Sequence, residues 1–178
     1  DQLTYLAAKI CQVPVAKISI IGKNKIWYKS VYGVEQDEIS RKNSFCEQSI
    51  WAGKEIFSIN SKDHPEFFEQ AKGVYQCNYQ FYAGVPLLNA NGHAIAVFSI
   101  FDTKIRNLDE EQKKSLLALS NQCMNLFEAR KQKTKLQHVK RKLKQKYKEL
   151  EKGSKAFEEW FLKYSPGEIK TTKRKKTR

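Results

Sequence analysis

Apolar and polar positions along the chain change period several times, and each change predicts an element. In "LTYLAAKICQ" the residues Leu3, Leu6, Ala7 and Ile10 recur at i, i+3, i+4 and i+7. That is one face of an amphipathic helix, which Pro14 ends. "VAKISIIG" and "KIWYKSVYG" are short runs rich in β-branched and aromatic residues, separated by "GKNK", and predict a hairpin. "EISRKNSFCEQSIWAGK" reads as irregular and then briefly helical, with Ser44 as cap and Glu47 completing a capping box. "EIFSIN" predicts a short strand. "SKDHPEFFEQAKGVYQCNY" has helix and loop character, punctuated by Asp63, Pro65 and Gly73.

A second hairpin is predicted in "FYAGVPLLNANGHAIAVFSI", whose two runs flank a turn containing Asn91-Gly92. Phe81, Ala83, Val85 and Leu87 alternate with Tyr82, Gly84 and Pro86, so the run is apolar on both sides. A strand with one wet face would alternate polar and apolar; both faces of this hairpin must therefore be covered.

From Asp109 onward the period is helical. Asp109 serves as N-cap, Gln112 completes a box, and Leu116, Leu119, Cys123 and Phe127 form the apolar stripe. The helical pattern then runs on, with Leu136, Val139, Leu143 and Leu150 at heptad spacing and Lys146 where a further apolar residue belongs. This predicts either a short, imperfect coiled coil or a solvated single helix. Gly153-Ser154 is expected to break the pattern. Beyond it Phe157, Trp160, Phe161 and Tyr164 fall at i, i+3, i+4 and i+7, before Ser165-Pro166-Gly167 and the basic end "KTTKRKKTR". Antiparallel hairpins enclosed by a first and a last helix make an α+β pattern.

Charge divides the chain. Residues 1–127 carry 14 Lys/Arg against 13 Asp/Glu, whereas residues 128–178 carry 19 against 6. The globular part is neutral and the C-terminal part basic. That basic part admits three readings: phosphate contacts with nucleic acid, attraction to an anionic membrane surface beside Phe157, Trp160 and Phe161, or a solvated helix face, which is favoured for residues 128–152. Cys11, Cys46, Cys77 and Cys123 are far apart and form no CxxC pair, and His64, His93 and His138 are equally scattered. Zinc ligation and a disulfide framework both fit poorly, and buried thiols in a reducing cytoplasm fit better. No apolar run approaches the ~20 residues of a membrane span. The start at Asp1, inside a helical pattern, is expected of a piece of a longer protein.

"FYAGVPLLNANGHAIAVFSIFDTKIRNLDEEQ", "IWYKSVYGVEQDEISRKNSFCEQSI" and "DHPEFF" together resemble GAF domains, in the family's order and spacing and over residues 2–128. The type is that found ahead of bacterial histidine kinases and diguanylate cyclases. The resemblance implies a central antiparallel sheet of five to six strands. Terminal helices would cover one face, and short helices and loops would roof a pocket on the other. It implies a sensor domain (1–128) and a signalling helix or coiled coil (129–152), where "KELE" is similar to kinase-linked relatives. At Gly153 the chain departs from those relatives, and the short aromatic helix with a basic tail (153–178) matches no output domain. One face of the second hairpin would meet Leu3, Leu6 and Ile10 with the Leu116–Phe127 stripe. The other would meet "SFCEQSI" and "DHPEFF". The implied ligand-binding residues are Phe45, Cys46, Phe67, Phe68, Tyr79, Tyr82 and Phe98.

No cofactor is specified. Pigment-binding members attach bilin to a Cys followed by His, but here Glu47 follows Cys46 and Asn78 follows Cys77. Gln48 also stands where close relatives often carry His. Phe67, Phe68, Tyr79 and Tyr82 suit a pocket wall or a core equally well. Cys46 at a helix start is either a reactive thiol or, more in keeping with free cysteines, a buried inert one. Asp63, His64 and Glu66 suggest acid–base or metal chemistry, or simply a turn capped by Asp63. His138 lacks the context of a phosphoacceptor. The reading is thus a non-catalytic, cytoplasmic sensory module of a bacterial signal-transduction protein. It would bind an unidentified small molecule and act on an output domain or partner protein through a helix that homodimerises by Leu136, Val139, Leu143 and Leu150. The alternatives are a nucleic-acid- or membrane-binding protein using the basic tail, and a GAF-type methionine sulfoxide reductase.

Overall fold

A computed structural model describes residues 1–164. The expected stop at Ser165-Pro166-Gly167 and the basic end lie outside them. The chain divides into two compact units, Asp1–Ala129 and Arg130–Arg178.

The first unit is built on a six-stranded, wholly antiparallel sheet in the order β3-β2-β1-β6-β5-β4. Its strands are β1 (Val15–Ile21), β2 (Lys25–Tyr32), β3 (Glu38–Ser40), β4 (Phe57–Asn60), β5 (Phe81–Leu88) and β6 (Ala94–Asp102). Helices α1 (Gln2–Ile10), α2 (Phe45–Trp51), α3 (Pro65–Tyr75) and α4 (Glu110–Tyr164) complete the fold. Both faces of the β5–β6 hairpin are covered, as its double apolar alternation requires. Phe81, Ala83, Val85 and Leu87 of β5, with Ala96, Phe98 and Ile100 of β6, pack with α1 and the first turns of α4. Tyr82, Val97 and Phe101 pack with α2 and α3. Asn89 Oδ1 accepts from the amides of Asn91 and His93, and Gly92 supplies the positive φ of 77° that the connection needs.

Two local expectations change. On α1 the buried residues are Thr4, Ala7 and Ala8, while Leu6 and Ile10 are 43% and 41% exposed. Small side chains let this helix sit close to the sheet, so its inward face is the compact one, not the one carrying most aliphatic bulk. Thr4 Oγ1 and Ser30 Oγ stand 2.9 Å apart, and Ser30 Oγ donates to Asp1 Oδ1 at 2.9 Å, fixing that face against β2. The three-residue edge strand β3 falls in a stretch read as irregular, because only Ile39 of the three is buried and no period can show.

The caps sort themselves by partner. Gln112 N–H donates to Asp109 Oδ1 at 2.7 Å and Asp109 N–H to Gln112 Oε1 at 3.2 Å, a complete box. At α2, Ser44 Oγ accepts from Glu47 N–H (3.2 Å), but the Glu47 carboxylate turns to Arg41, 3.4 Å away. Asp63 does not cap α3: His64 holds that position without a side-chain bond, and Pro65 begins the helix.

In the second unit, α4 continues without interruption through Gly153 and Ser154 to Tyr164. A single interior glycine costs a helix only about 1 kcal/mol, too little to stop one flanked by good helix formers. Positions 136, 139, 143, 146, 150, 153, 157, 160 and 164 therefore form one row at alternating spacings of three and four. Leu136, Val139, Leu143, Leu150, Phe157, Trp160 and Tyr164 on it are all exposed.

Candidate functional site

The roof over the second face is aromatic. Phe45, the first residue of α2, stacks on Tyr82 of β5 with centroids 4.8 Å apart and planes 15° from parallel. Its other neighbours are Phe68 (4.9 Å), Phe67 (5.1 Å), Tyr75 (5.1 Å) and Phe101 (5.9 Å). Tyr79 lies 4.7 Å from Phe101. The Tyr75 hydroxyl accepts from the Phe45 amide at 3.0 Å. Of the ligand-binding residues read from the sequence, Phe45, Cys46, Phe68, Tyr79 and Tyr82 are thus brought together as buried core. Phe67 is half-buried and lines a hollow of about 330 Å³ with Gln48, Phe57, Ile59, His64 and Glu66. Phe98 is a correction. It sits one position out of phase on β6 and points into the core beneath α1 and α4, away from the other six.

Cys46 is completely buried, facing Ser19, Tyr75 and Tyr82, and burial pushes its thiol pKa up. Desolvation here overrides the start of a seven-residue helix. Burial likewise holds the thiols of Cys11 and Cys123 at about 11. His64 Nδ1 and Glu66 Oε1 are 4.0 Å apart and exposed, and no cluster of three metal-ligating side chains occurs among the described residues.

Below the roof the sheet turns polar. Lys17, Ser19 and Ser99 are all completely buried. Register places Lys17 beside Ser99, and Ser99 beside Gly84, in one row across β1, β6 and β5. Ser19 neighbours Tyr28 across β1 and β2. Lys17 Nζ donates to Gln36 Oε1 at 3.1 Å and lies 4.3 Å from the Tyr28 ring centroid. Burial pulls its pKa down to about 8. Sequence reasoning missed this patch, although one signal was present: a lysine inside "VAKISII", a strand whose two faces are both needed for packing.

Gly84 makes room for the Tyr82 hydroxyl, which meets Ser49 Oγ at 2.6 Å. A Cβ at Gly84 would collide with that hydroxyl and stand 2.7 Å from Ser49 Oγ. Gly84→Ala is expected to lower stability by about 1–3 kcal/mol through overpacking and loss of this bond, measured by urea unfolding. An unchanged midpoint would show that the row tolerates added bulk.

Asn60, at the end of β4, connects the roof to the segment that enters α4. Its carbonyl accepts from the amides of Asp63 and His64, where α3 begins. Its side chain accepts from the Arg106 amide at 3.1 Å and donates to Asn107 at 3.3 Å. Arg106 in turn pairs with the buried Asp102 at the end of β6. Elsewhere in this unit, a groove of about 640 Å³ runs between the tip of the β5–β6 hairpin and α4, with Lys54, Glu55 and Asn121 on its walls.

No protein-family model matches the chain. A cyclic di-GMP phosphodiesterase of Pseudomonas aeruginosa is 27% identical over 107 residues. That match takes in 60% of this chain but only 18% of the relative's length. The GAF domain of a two-component sensor histidine kinase from Bacillus halodurans superposes with a TM-score of 0.57 at 10% identity, covering 75% of this chain and 97% of that one. A free methionine-R-sulfoxide reductase from Neisseria meningitidis, solved with its substrate, superposes at 0.58 and 16% identity, covering 74% and 77%. The first unit has the GAF fold, as its sequence resemblance implied.

Proposed function

With the GAF fold as premise, we propose that this chain is a non-catalytic sensory module of a bacterial signalling protein. A small molecule held on the α2–α3 side of the sheet changes the packing of that roof, and α4 carries the change onward by pairing in parallel with a second copy. The observation that carries the reading is Asn60, whose backbone holds the start of α3 while its side chain holds the segment entering α4. Whatever moves the roof moves those bonds. The exposed Leu136, Val139, Leu143 and Leu150 supply the pairing row. The signal is a population shift between two packings, biased by differential ligand affinity. Likeness to sensor-kinase GAF domains supports this reading, and burial that raises the thiol pKa values of Cys11, Cys46 and Cys123 argues against those three as reductase nucleophiles.

Native mass spectrometry of the chain over a range of concentration and salt tests it. The expected result is a concentration-dependent equilibrium between 20.7 kDa monomer and its dimer. A chain that stays monomeric under every condition would end the relay through paired helices.

A further inference from the structure

The last turns of α4 carry an apolar face unlike the row before it. Phe157, Trp160, Phe161 and Tyr164 are 62%, 57%, 53% and 60% exposed. Their rings adjoin one another: Phe157 lies 6.1 Å from Trp160 and 6.3 Å from Phe161, and Trp160 6.0 Å from Tyr164. At roughly 100° per residue, these four with Gly153 and Ala156 fill an arc of about 140° that holds no polar side chain. Upstream, Leu136, Val139, Leu143 and Leu150 span only about 60°. A narrow aliphatic seam suits a partner helix. A broad arc of aromatic rings is the kind of face that lies on an apolar layer.

Charge selects which layer. Lys152 and Lys163 border the arc, and their long stems let the ammonium groups reach away from an apolar phase. Glu158 and Glu159 stand on the opposite side of the helix. Over residues 152–178 there are nine Lys/Arg against three Asp/Glu, and six of the nine follow Tyr164 in sequence. A nucleic acid would engage these cations and leave four rings in water. A second copy would bring the same positive charge to the contact. An anionic bilayer surface uses both features at once, because Trp and Tyr settle at headgroup level while lipid charge attracts lysine and arginine. No helix among the described residues is long and apolar enough to cross a membrane. The polar side formed by Lys155, Glu158 and Glu159 instead suits a helix lying in the plane of the surface.

We propose that residues 153–164 dock on an anionic lipid surface. Phe157, Trp160, Phe161 and Tyr164 enter the boundary between headgroups and acyl chains, and the flanking cations are held by the lipid charge. This docking goes beyond the sensory reading and requires neither a ligand in the first unit nor pairing of α4.

The test is co-sedimentation of the whole chain with vesicles of phosphatidylcholine alone and of phosphatidylcholine with about one-third phosphatidylglycerol. Partitioning at least about tenfold stronger on the anionic vesicles is expected, weakened but not abolished by salt. The double variant Phe157→Gln/Phe161→Gln should lose roughly tenfold or more of that partitioning. Both side chains lie outside the core of the first unit, so its thermal unfolding should stay unchanged. Absence of binding to the anionic vesicles overturns the docking, and equal binding to both vesicles overturns its charge selection. Full binding by the double variant also overturns it, reducing the effect to adsorption of a polycation that duplex DNA would match. If the vesicles capture nothing and the double variant weakens the dimer, the aromatic face belongs to a second copy. A chain that binds anionic vesicles yet stays monomeric keeps the docking and defeats the relay.

Discussion

Lys17→Met is expected to raise the stability of the ligand-free protein at pH 7 by about 2–3 kcal/mol. Ordinary lysine holds its proton to 10.5, whereas buried Lys17 releases it near 8. Each unit of that difference corresponds to about 1.4 kcal/mol against the charged form in the folded state. The sign follows from proton counting. Between pH 8 and 10.5 the unfolded chain binds more protons at this site than the folded one, so Lys17's contribution to stability improves as pH rises. Below pH 8 the full cost of burying the charge is present. Methionine carries none of it and fills similar volume, at the loss of the Gln36 bond and of contacts with the rings, which offset part of the gain.

The advantage of Lys17→Met should therefore be largest below pH 8 and fade toward pH 10.5. The titratable groups facing Lys17 are Tyr28 on β2, Cys46 on α2, Tyr75 on α3, and Cys77 just beyond α3. They are common to both proteins and largely cancel in the difference. Urea unfolding of the two proteins at pH 7 and at pH 9.5 reads it directly. A less stable Lys17→Met at pH 7 would mean that the lysine is satisfied within the chain.

How far the sequence revealed the fold depended on how much bulk each pattern carried. The β5–β6 hairpin was legible because both of its faces are filled with large residues, which leaves no ambiguity about layers on either side. The Asp109–Gln112 box was legible because both partners are local. On α1 the same logic misplaced the inward face, since close packing there selects Thr4, Ala7 and Ala8 while Leu6 and Ile10 stay half outside. The candidate site was half legible. Aromatic residues in "SFC" and "PEFF" announced a roof, but an aromatic roof and an aromatic core have the same composition. The polar patch beneath it depends on register between β1, β2 and β6, which no local window contains. Lys17 and Ser99 lie 82 positions apart in sequence and side by side in the sheet.

The row along α4 has a flaw that makes a large prediction. In a parallel pair, position 146 of one helix faces position 146 of the other, so two lysines meet where Leu is favoured. The flanking positions repeat the problem, since Lys135 of one helix faces Lys140 of the next. The wild-type pair should accordingly be weak and strengthen with salt, as screening of like charges requires. Lys146→Leu replaces two apposed charges with two buried leucines, each contributing at least about 1.5 kcal/mol. Together they should tighten the dimer by roughly 100-fold and flatten its salt dependence. Sedimentation equilibrium of both proteins at low and high salt measures both effects. A weak wild-type pairing is what a relay needs, because a ligand's differential affinity of a few kcal/mol can shift a balanced equilibrium but not a locked one. An unchanged mass distribution for Lys146→Leu would remove position 146 from the interface and the parallel row with it. Residues 130–164, with 13 Lys/Arg against 4 Asp/Glu, would then call for an acidic helix as partner in place of a second copy.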